Sequence, residues 1–163
     1  MSLDPIKTID ENAEEELNAI GCRLAPEKEP AYSEPDFSWI PNDIDPKADF
    51  NGRNTTAGRI EMFPRNWVVT KLECHPDFEE IYTASRGCYY PLVEAGRTPS
   101  RDNLKVIWVD AGRSIVIGKG VWHCPPFVFD DNCDATFVRV IHPADERNND
   151  TVLFLFVKTM VFE

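Results

Sequence analysis

Two short stretches of the sequence carry carboxylates, imidazoles and glycines at spacings that favour one shared site. In the first, Glu73 and His75 are followed after four residues by Glu80 and after six more by Gly87. Residues i and i+2 of a strand share a face, so Glu73 and His75 point to the same side. The turn at 76–78 leads to a neighbouring strand, which brings Glu80 back beside them. We therefore predict that these three side chains lie together.

The second stretch begins at Gly112, continues to the Gly-Lys-Gly turn at 118–120 and reaches His123 two residues later. Glycine permits tight turns with unusual backbone angles, so we expect such turns at Gly87 and Gly120. His123 then arrives from a strand distant in sequence and completes the set of polar side chains.

Four such side chains, Glu73, His75, Glu80 and His123, can hold one divalent ion. Mixed nitrogen and oxygen donors favour Mn, Fe, Co, Ni or Zn over Ca, without choosing among them. Two carboxylates close together without a cation would repel, and one would take up a proton. We predict a transition-metal site, with a structural or empty site as the alternative.

Three further polar side chains are candidates for binding substrate. Lys71 shares strand parity with Glu73, which predicts that its ammonium enters the interior and binds a substrate carboxylate. The alternative for Lys71 is a position at the rim, reaching solvent. Tyr82 shares parity with Glu80 and can donate a hydrogen bond inside. Arg59, like Arg86, is an alternative anion-binding group.

Two residues near these motifs are predicted to lie outside the site. His142 follows a predicted strand and precedes Pro143, which favours a surface turn. Cys124 lies next to His123, so strand alternation turns its side chain away, and we interpret it as a small buried side chain.

The rest of the chain after residue 54 alternates short apolar segments with turn signals, which predicts an all-β domain. Many short strands without intervening helices indicate a sandwich or a barrel. The predicted strands are 57–63, 67–74, 80–84, 88–94, 104–109, 114–117, 126–129, 136–141 and 152–162.

The N-terminal part contains the one predicted helix, over 8–24, with Thr8 and Glu11 at capping-box spacing and an apolar stripe that includes Leu17 and Ile20. Gly21 weakens its end. Prolines dominate the next stretch, 26–54, which we predict to be an ordered arm or long loop. One domain is expected over 1–163, with the helix and irregular arm at 1–54 and the barrel at 55–163.

Composition excludes several classes of protein. The 163 residues carry a formal charge of -11, which argues against nucleic acid and anionic membranes as partners. The apolar runs fall short of the roughly 20 residues of a membrane-spanning helix. No apolar leader follows Met1, and the five cysteines match no disulfide scaffold or zinc motif, so we expect a cytoplasmic protein with reduced thiols.

The two motifs resemble those of the cupin superfamily, which implies an antiparallel β-barrel or double-sheet jelly roll. Two positions depart from the cupin pattern: Glu73 stands where a histidine is usual, and Gly118 where a proline is usual. Within the cupins, the chain looks like the ureidoglycolate lyase (ureidoglycolate hydrolase) family. The matching stretches are Leu72-Glu73-Cys74-His75-Pro76, Arg86-Gly87, Val121-Trp122-His123, Pro125, Phe127 and the helix end Leu17-Asn18-Ala19-Ile20-Gly21. Cys124 and Glu80 replace a histidine and an amide of that family.

That resemblance implies a lyase that releases urea and glyoxylate from ureidoglycolate, a small acid. His75 or Glu80 is then the base that takes the hydroxyl proton, and Lys71 steadies the carboxylate. The alternatives are a cupin that binds a ligand or metal without catalysis, and a cupin isomerase acting on a sugar or sugar acid. Analogy with other cupins also implies a homodimer.

Overall fold

The computed structural model describes residues 8–9, 14–27, 29–35, 37–39, 45, 47–63, 66–128, 136–145 and 150–159. These residues contain one short helix and fourteen β-strands. The elements are β1 (Thr8–Ile9), α1 (Glu14–Ile20), β2 (Cys22–Leu24), β3 (Tyr32–Glu34), β4 (Phe37–Trp39), β5 (Thr55–Met62), β6 (Val68–Cys74), β7 (Glu80–Ala84), β8 (Cys88–Val93), β9 (Lys105–Val109), β10 (Ser114–Ile117), β11 (Trp122–His123), β12 (Phe127–Val128), β13 (Thr136–Pro143) and β14 (Val152–Thr159).

Most of the strands form two sheets that face each other. The larger sheet has the order β1-β9-β8-β11-β6-β14, with β12 also paired to β8, and the smaller has the order β2-β10-β7-β13-β5. Among the described strands, every pairing is antiparallel except that of β1 with β9. The predicted all-β, double-sheet jelly roll is confirmed.

Alternation along the strands separates an inner face from an outer face. On β7, Tyr82 and Ala84 belong to the main core cluster, together with Ile115 and Ile117 of the neighbouring β10. Ile81, which lies between Glu80 and Tyr82, belongs to a separate cluster on the outer face. Glu80 shares the inner face with Tyr82 because the two are separated by one residue. This alternation places a carboxylate inside the barrel.

The helix is shorter than predicted, because it spans Glu14–Ile20 and not 8–24. Thr8 lies in β1, so it does not cap the helix, while Glu11 lies outside the described residues. Gly21 ends the helix with a φ of 95°, as its position predicts. The buried residues of α1, Leu17 and Ile20, pack into the main core.

The described part of the arm contains two short strands, β3 and β4. Before the arm, β2 pairs with β10 and extends the smaller sheet, and within the arm β3 pairs with β4. Ala48 and Phe50 pack on the outer face of that sheet, where apolar side chains need cover. Arg23 of β2 ties the arm to the barrel, because its Nε lies 3.0 Å from Asp45 Oδ2 while its other two nitrogens pair with Glu79, both N–O distances 2.8 Å. No helix in the described part is long and apolar enough to cross a membrane.

Candidate metal centre

The four predicted donors come from neighbouring strands. Glu73 lies near the end of β6, His75 directly follows it, and Glu80 begins β7. His123 of β11 is the register partner of Glu73. Glu73 and His123 therefore lie side by side on the inner face of the larger sheet, and Glu80 faces them from the smaller sheet.

The side chains of these residues converge. One ligand atom from each of Glu73, His75 and His123 lies within 4.8 Å of the other two. Glu80 is attached to this cluster through both imidazoles: its Oε2 lies 3.0 Å from His123 Nε2 and 3.2 Å from His75 Nε2. The structure thus brings together all four residues that the motif spacing predicts to be neighbours.

The two imidazoles are oriented by groups outside the cluster. His123 Nδ1 lies 3.0 Å from the Val121 carbonyl oxygen, which can only accept a hydrogen bond. Nδ1 therefore carries a proton, and Nε2 faces the cluster. His75 Nδ1 contacts the hydroxyl of Thr151 at 3.3 Å, which aims its Nε2 the same way. Such outer hydrogen bonds are characteristic of metal-binding histidines.

Hydrogen bonds and charge keep Glu80 ionised despite its burial. Burial alone raises the pKa of Glu80, but hydrogen bonds from His123 and His75, and their positive charge, outweigh burial and hold this pKa below its usual range. Burial, followed by the negative charges of Glu80 and Glu73, raises the pKa of Tyr82 well above its usual value. Tyr82 is therefore a neutral phenol, and it donates a hydrogen bond of 3.1 Å to Glu80 Oε2.

The donor set fits a divalent transition metal. Two imidazoles and a carboxylate are a common ligand set for such ions, and Glu80 stands beside them as a fourth donor and the second carboxylate. Both imidazoles direct Nε2 towards Glu80 Oε2, and their ring centroids lie 5.3 Å apart. Without a cation, Glu80 Oε2 receives bonds from both imidazoles only if each carries a proton on Nε2.

The glycines of the second motif hold it against the first. Gly120 has a φ of 71°, as predicted, and its N–H donates to the His75 carbonyl at 2.8 Å.

Gly87, in the first motif, is needed for close packing and not for the unusual turn geometry that the sequence predicts. A Cβ at Gly87 would lie 2.2 Å from the ring of Trp108, so glycine there allows that ring to pack closely.

A cavity of about 270 Å3 opens over the candidate metal centre between the two sheets. Both sheets contribute to its wall, and so does Thr151, the residue before β14. Its lining consists of Gly58, Arg59, Ile60, Glu73, His75, Glu80, Tyr82, Val140, His142 and Thr151. Tyr82 and Arg59 thus lie at the cavity, as their proposed binding roles require.

The cations expected to bind substrate are not held inside. Lys71 is exposed, and its register partner on β14, Leu155, is 82% exposed. The prediction that the Lys71 ammonium enters the barrel is wrong. Arg59 reaches the rim, where it forms a 3.1 Å ion pair with Glu61 and lies over the ring of Phe137. Arg86 is exposed.

The sequence prediction missed His142. It is not in a surface turn but in β13, which runs two residues further than predicted, to Pro143. The side chain is half-buried and lines the cavity. The signal was strand parity: Val138 and Val140 belong to the core, and His142 continues the same face. Cys124 packs in a different cluster, with Phe127, and faces away from the site as predicted.

The two-sheet jelly roll defines a cupin-fold protein, and structural comparison agrees. The chain is similar to a mutant of the 3,4-ketoisomerase QdtA from Thermoanaerobacterium thermosaccharolyticum in complex with TDP-4-keto-6-deoxyglucose, with TM-score 0.54 and 15% identity over 81% of this chain and 86% of that one. A second QdtA mutant, in complex with TDP, gives TM-score 0.54 and 16% identity over the same shares. This likeness shows the fold alone.

The chain is less similar to oxalate decarboxylase from Bacillus subtilis, with TM-score 0.44 and 13% identity over 79% of this chain and 30% of that one. No protein-family profile matches the chain, and no curated protein sequence does.

Proposed function

We propose that this protein is a metal-dependent lyase that cleaves a small 2-hydroxy acid carrying a nitrogen leaving group, with ureidoglycolate as the leading substrate. Glu73, His75 and His123 would hold the ion, and Glu80 would act as the base. The observation that carries the proposal is the convergence, under one cavity, of a three-ligand cluster and the Glu80 carboxylate that contacts it. Resemblance of the motifs to ureidoglycolate lyases supplies the substrate.

The size of the cavity supports a small substrate. Its volume of about 270 Å3 lies below the range of roughly 300–1,000 Å3 of pockets for drug-sized ligands. The wall is mainly polar near the metal centre and apolar at Ile60 and Val140. A compact acid with several oxygen and nitrogen atoms matches this lining.

The proposed reaction moves one proton. Glu80 Oε2 takes the proton of the substrate hydroxyl, and the O–H electron pair forms the carbonyl of glyoxylate. The bond from carbon to nitrogen breaks, its electron pair stays on nitrogen, and the proton returns from Glu80 to give urea. A divalent ion, when bound, lowers the pKa of a hydroxyl beside it. The phenol of Tyr82, 3.1 Å from Glu80 Oε2, holds the carboxylate in place.

The test is release of urea and glyoxylate from ureidoglycolate by protein stripped with a chelator and reloaded singly with Mn, Fe, Co, Ni or Zn. We expect release that depends on the metal. Glu80→Gln should keep the metal and lower kcat by about 10²–10⁴-fold. Glu61→Gln, which changes an exposed carboxylate on β5, is the matched control and should leave kcat unchanged. No release above background with any of the five metals would exclude this function.

A second candidate is an isomerase of a small sugar or sugar acid. The observation that favours it is the contact between a neutral phenol, Tyr82, and an ionised carboxylate, Glu80, since moving a proton between adjacent carbons uses a donor and an acceptor. Aldose–ketose exchange, without urea release, would support it. Binding of acids without either reaction would support a binding protein.

A further inference from the structure

We infer that His142 forms a second polar binding site in the cavity, apart from the metal-ligand cluster, and binds the carboxylate of a small acid held at the metal centre. This inference rests on the proposed function for its choice of ligand. It assigns to His142 the task that the sequence pattern suggested for Lys71, which the structure places in solvent.

The register of the smaller sheet places His142 beside Glu80. On β13, Val140 pairs with Tyr82 and Ile141 pairs with Ile81 of β7. The next residue along β13, His142, continues this antiparallel register towards Glu80, and it shares the inner face with Val140. Both His142 and Glu80 line the cavity.

His142 nevertheless stands apart from the metal ligands. The cluster of mutually close ligand atoms contains the other two histidines of the chain, with Glu73, and does not include His142. All three histidines therefore surround the site, but two belong to the ligand cluster and the third lies on another wall. A molecule held by a metal at the cluster can reach His142 across the cavity.

Space for this imidazole is provided by a glycine on the neighbouring strand. An ideal Cβ at Gly58 would lie 3.6 Å from His142 Nε2, so the ring lies directly over the bare backbone of β5. A methyl group fits at that distance, whereas the branches of a valine would extend into the volume of the ring. Gly58 and His142 thus work as a pair that keeps the ring at the cavity wall.

The chemistry of the wall favours an anionic oxygen as the ligand of His142. Among the described lining residues, Arg59 is the permanent cation, but its guanidinium is engaged by Glu61 and Phe137 at the exposed rim. The imidazole of His142 supplies an N–H donor inside the cavity instead, and hydrogen bonds to charged groups are stronger than those between neutral groups.

The experiment measures binding of glycolate, the 2-hydroxy acid core of the proposed substrate, to Mn-loaded protein by calorimetry, with the Mn content of each variant determined in parallel. His142→Leu should weaken glycolate binding by about tenfold or more, because the donor is lost, and keep the metal. His142→Gln, whose amide can donate near the position of Nε2, should retain most of the affinity. Gly58→Val should weaken glycolate binding as His142→Leu does, and Gly58→Ala should not.

Two control variants separate the alternatives. Arg139→Gln changes an exposed side chain of the same strand and should leave binding unchanged. Arg59→Gln tests the rim cation: if it abolishes glycolate binding while His142→Leu does not, Arg59 is the anion site and the inference is wrong. Loss of Mn in His142→Leu would make His142 a metal ligand and would also overturn it, as would failure of the Mn-loaded wild-type protein to bind glycolate. Glycolate binding without urea release would leave the inference standing and exclude the proposed lyase.

Discussion

His123 Nε2 lies 3.0 Å from Glu80 Oε2, a contact between residues 43 positions apart in sequence. It joins the two motifs and the two sheets at one point, because His123 belongs to β11 of the larger sheet and Glu80 to β7 of the smaller one. Both side chains are buried, so each needs the other or a metal ion to satisfy its polar atoms. The contact is therefore as important for the fold as for the chemistry.

This contact predicts how the stability of the metal-free protein depends on pH. The pKa of Glu80 is lowered in the folded state from a reference value of 4.5. A carboxyl group of this kind stabilises the fold fully above its unfolded pKa, and the stabilisation is lost as pH falls through the folded pKa. Urea unfolding of metal-free wild-type protein should therefore show stability that declines as pH drops below about 4.5 more steeply than in Glu80→Gln. Parallel declines in the two proteins would contradict the lowered pKa.

Substitution of Lys71 should have little effect. The side chain is exposed and outside the lining of the cavity, so Lys71→Ala is expected to change the free energy of unfolding by less than about 0.5 kcal/mol. KM for the substrate should also stay within experimental error. A rise in KM of tenfold or more would return Lys71 to the substrate site.

Gly118 is predicted to be essential for packing. A Cβ at this position would lie 1.9 Å from the backbone oxygen of Gly21, and backbone atoms cannot move aside as a flexible side chain can. Gly118→Ala should therefore lower the free energy of unfolding by about 1–3 kcal/mol, measured by chemical denaturation. Gly58→Ala, whose added methyl meets only ordinary contacts, is the matched control. Equal stability of the two variants would show that Gly21, at the end of α1, does not pack closely against Gly118 of the second motif.

We propose that a second copy of the chain covers β14, the edge strand of the larger sheet. Leu155 is 82% exposed and Leu153 58% exposed, and such an apolar edge is a template for association. The strand Val152–Thr159 carries one lysine and no acidic residue, although the chain has a charge of -11, so no acidic side chain of this strand opposes association. Light scattering should give a dimer, and Leu155→Glu should give a folded monomer. A monomeric wild-type protein would exclude this homodimer.

The sequence predicts the motif side chains better than the residues around them. Strand parity places Glu73, His75, Glu80 and His123 correctly because it depends only on local geometry. It fails for Lys71 because parity gives the face of a strand but not whether the opposite sheet covers that face. His142 was missed because the predicted strand ended two residues early.

The N-terminal strands were missed for a different reason. Strands β1 and β2 are short, and their pairing with β9 and β10 is fixed by tertiary contacts and not by their own sequence. Gly21 marks the end of the helix in the sequence, but only the structure reveals the close approach of its carbonyl to Gly118.

The central claim, that Glu73, His75 and His123 form a metal centre, is tested most directly by metal stoichiometry. Chelator-treated protein is dialysed against each of Mn, Fe, Co, Ni and Zn, and the bound metal per chain is determined by elemental analysis. We predict one equivalent of at least one of these metals in the wild-type protein and in the control Glu61→Gln. His75→Asn and His123→Asn should lose it. A wild-type protein that binds none of the five, or ligand variants that bind as much as the wild type, would contradict the claim.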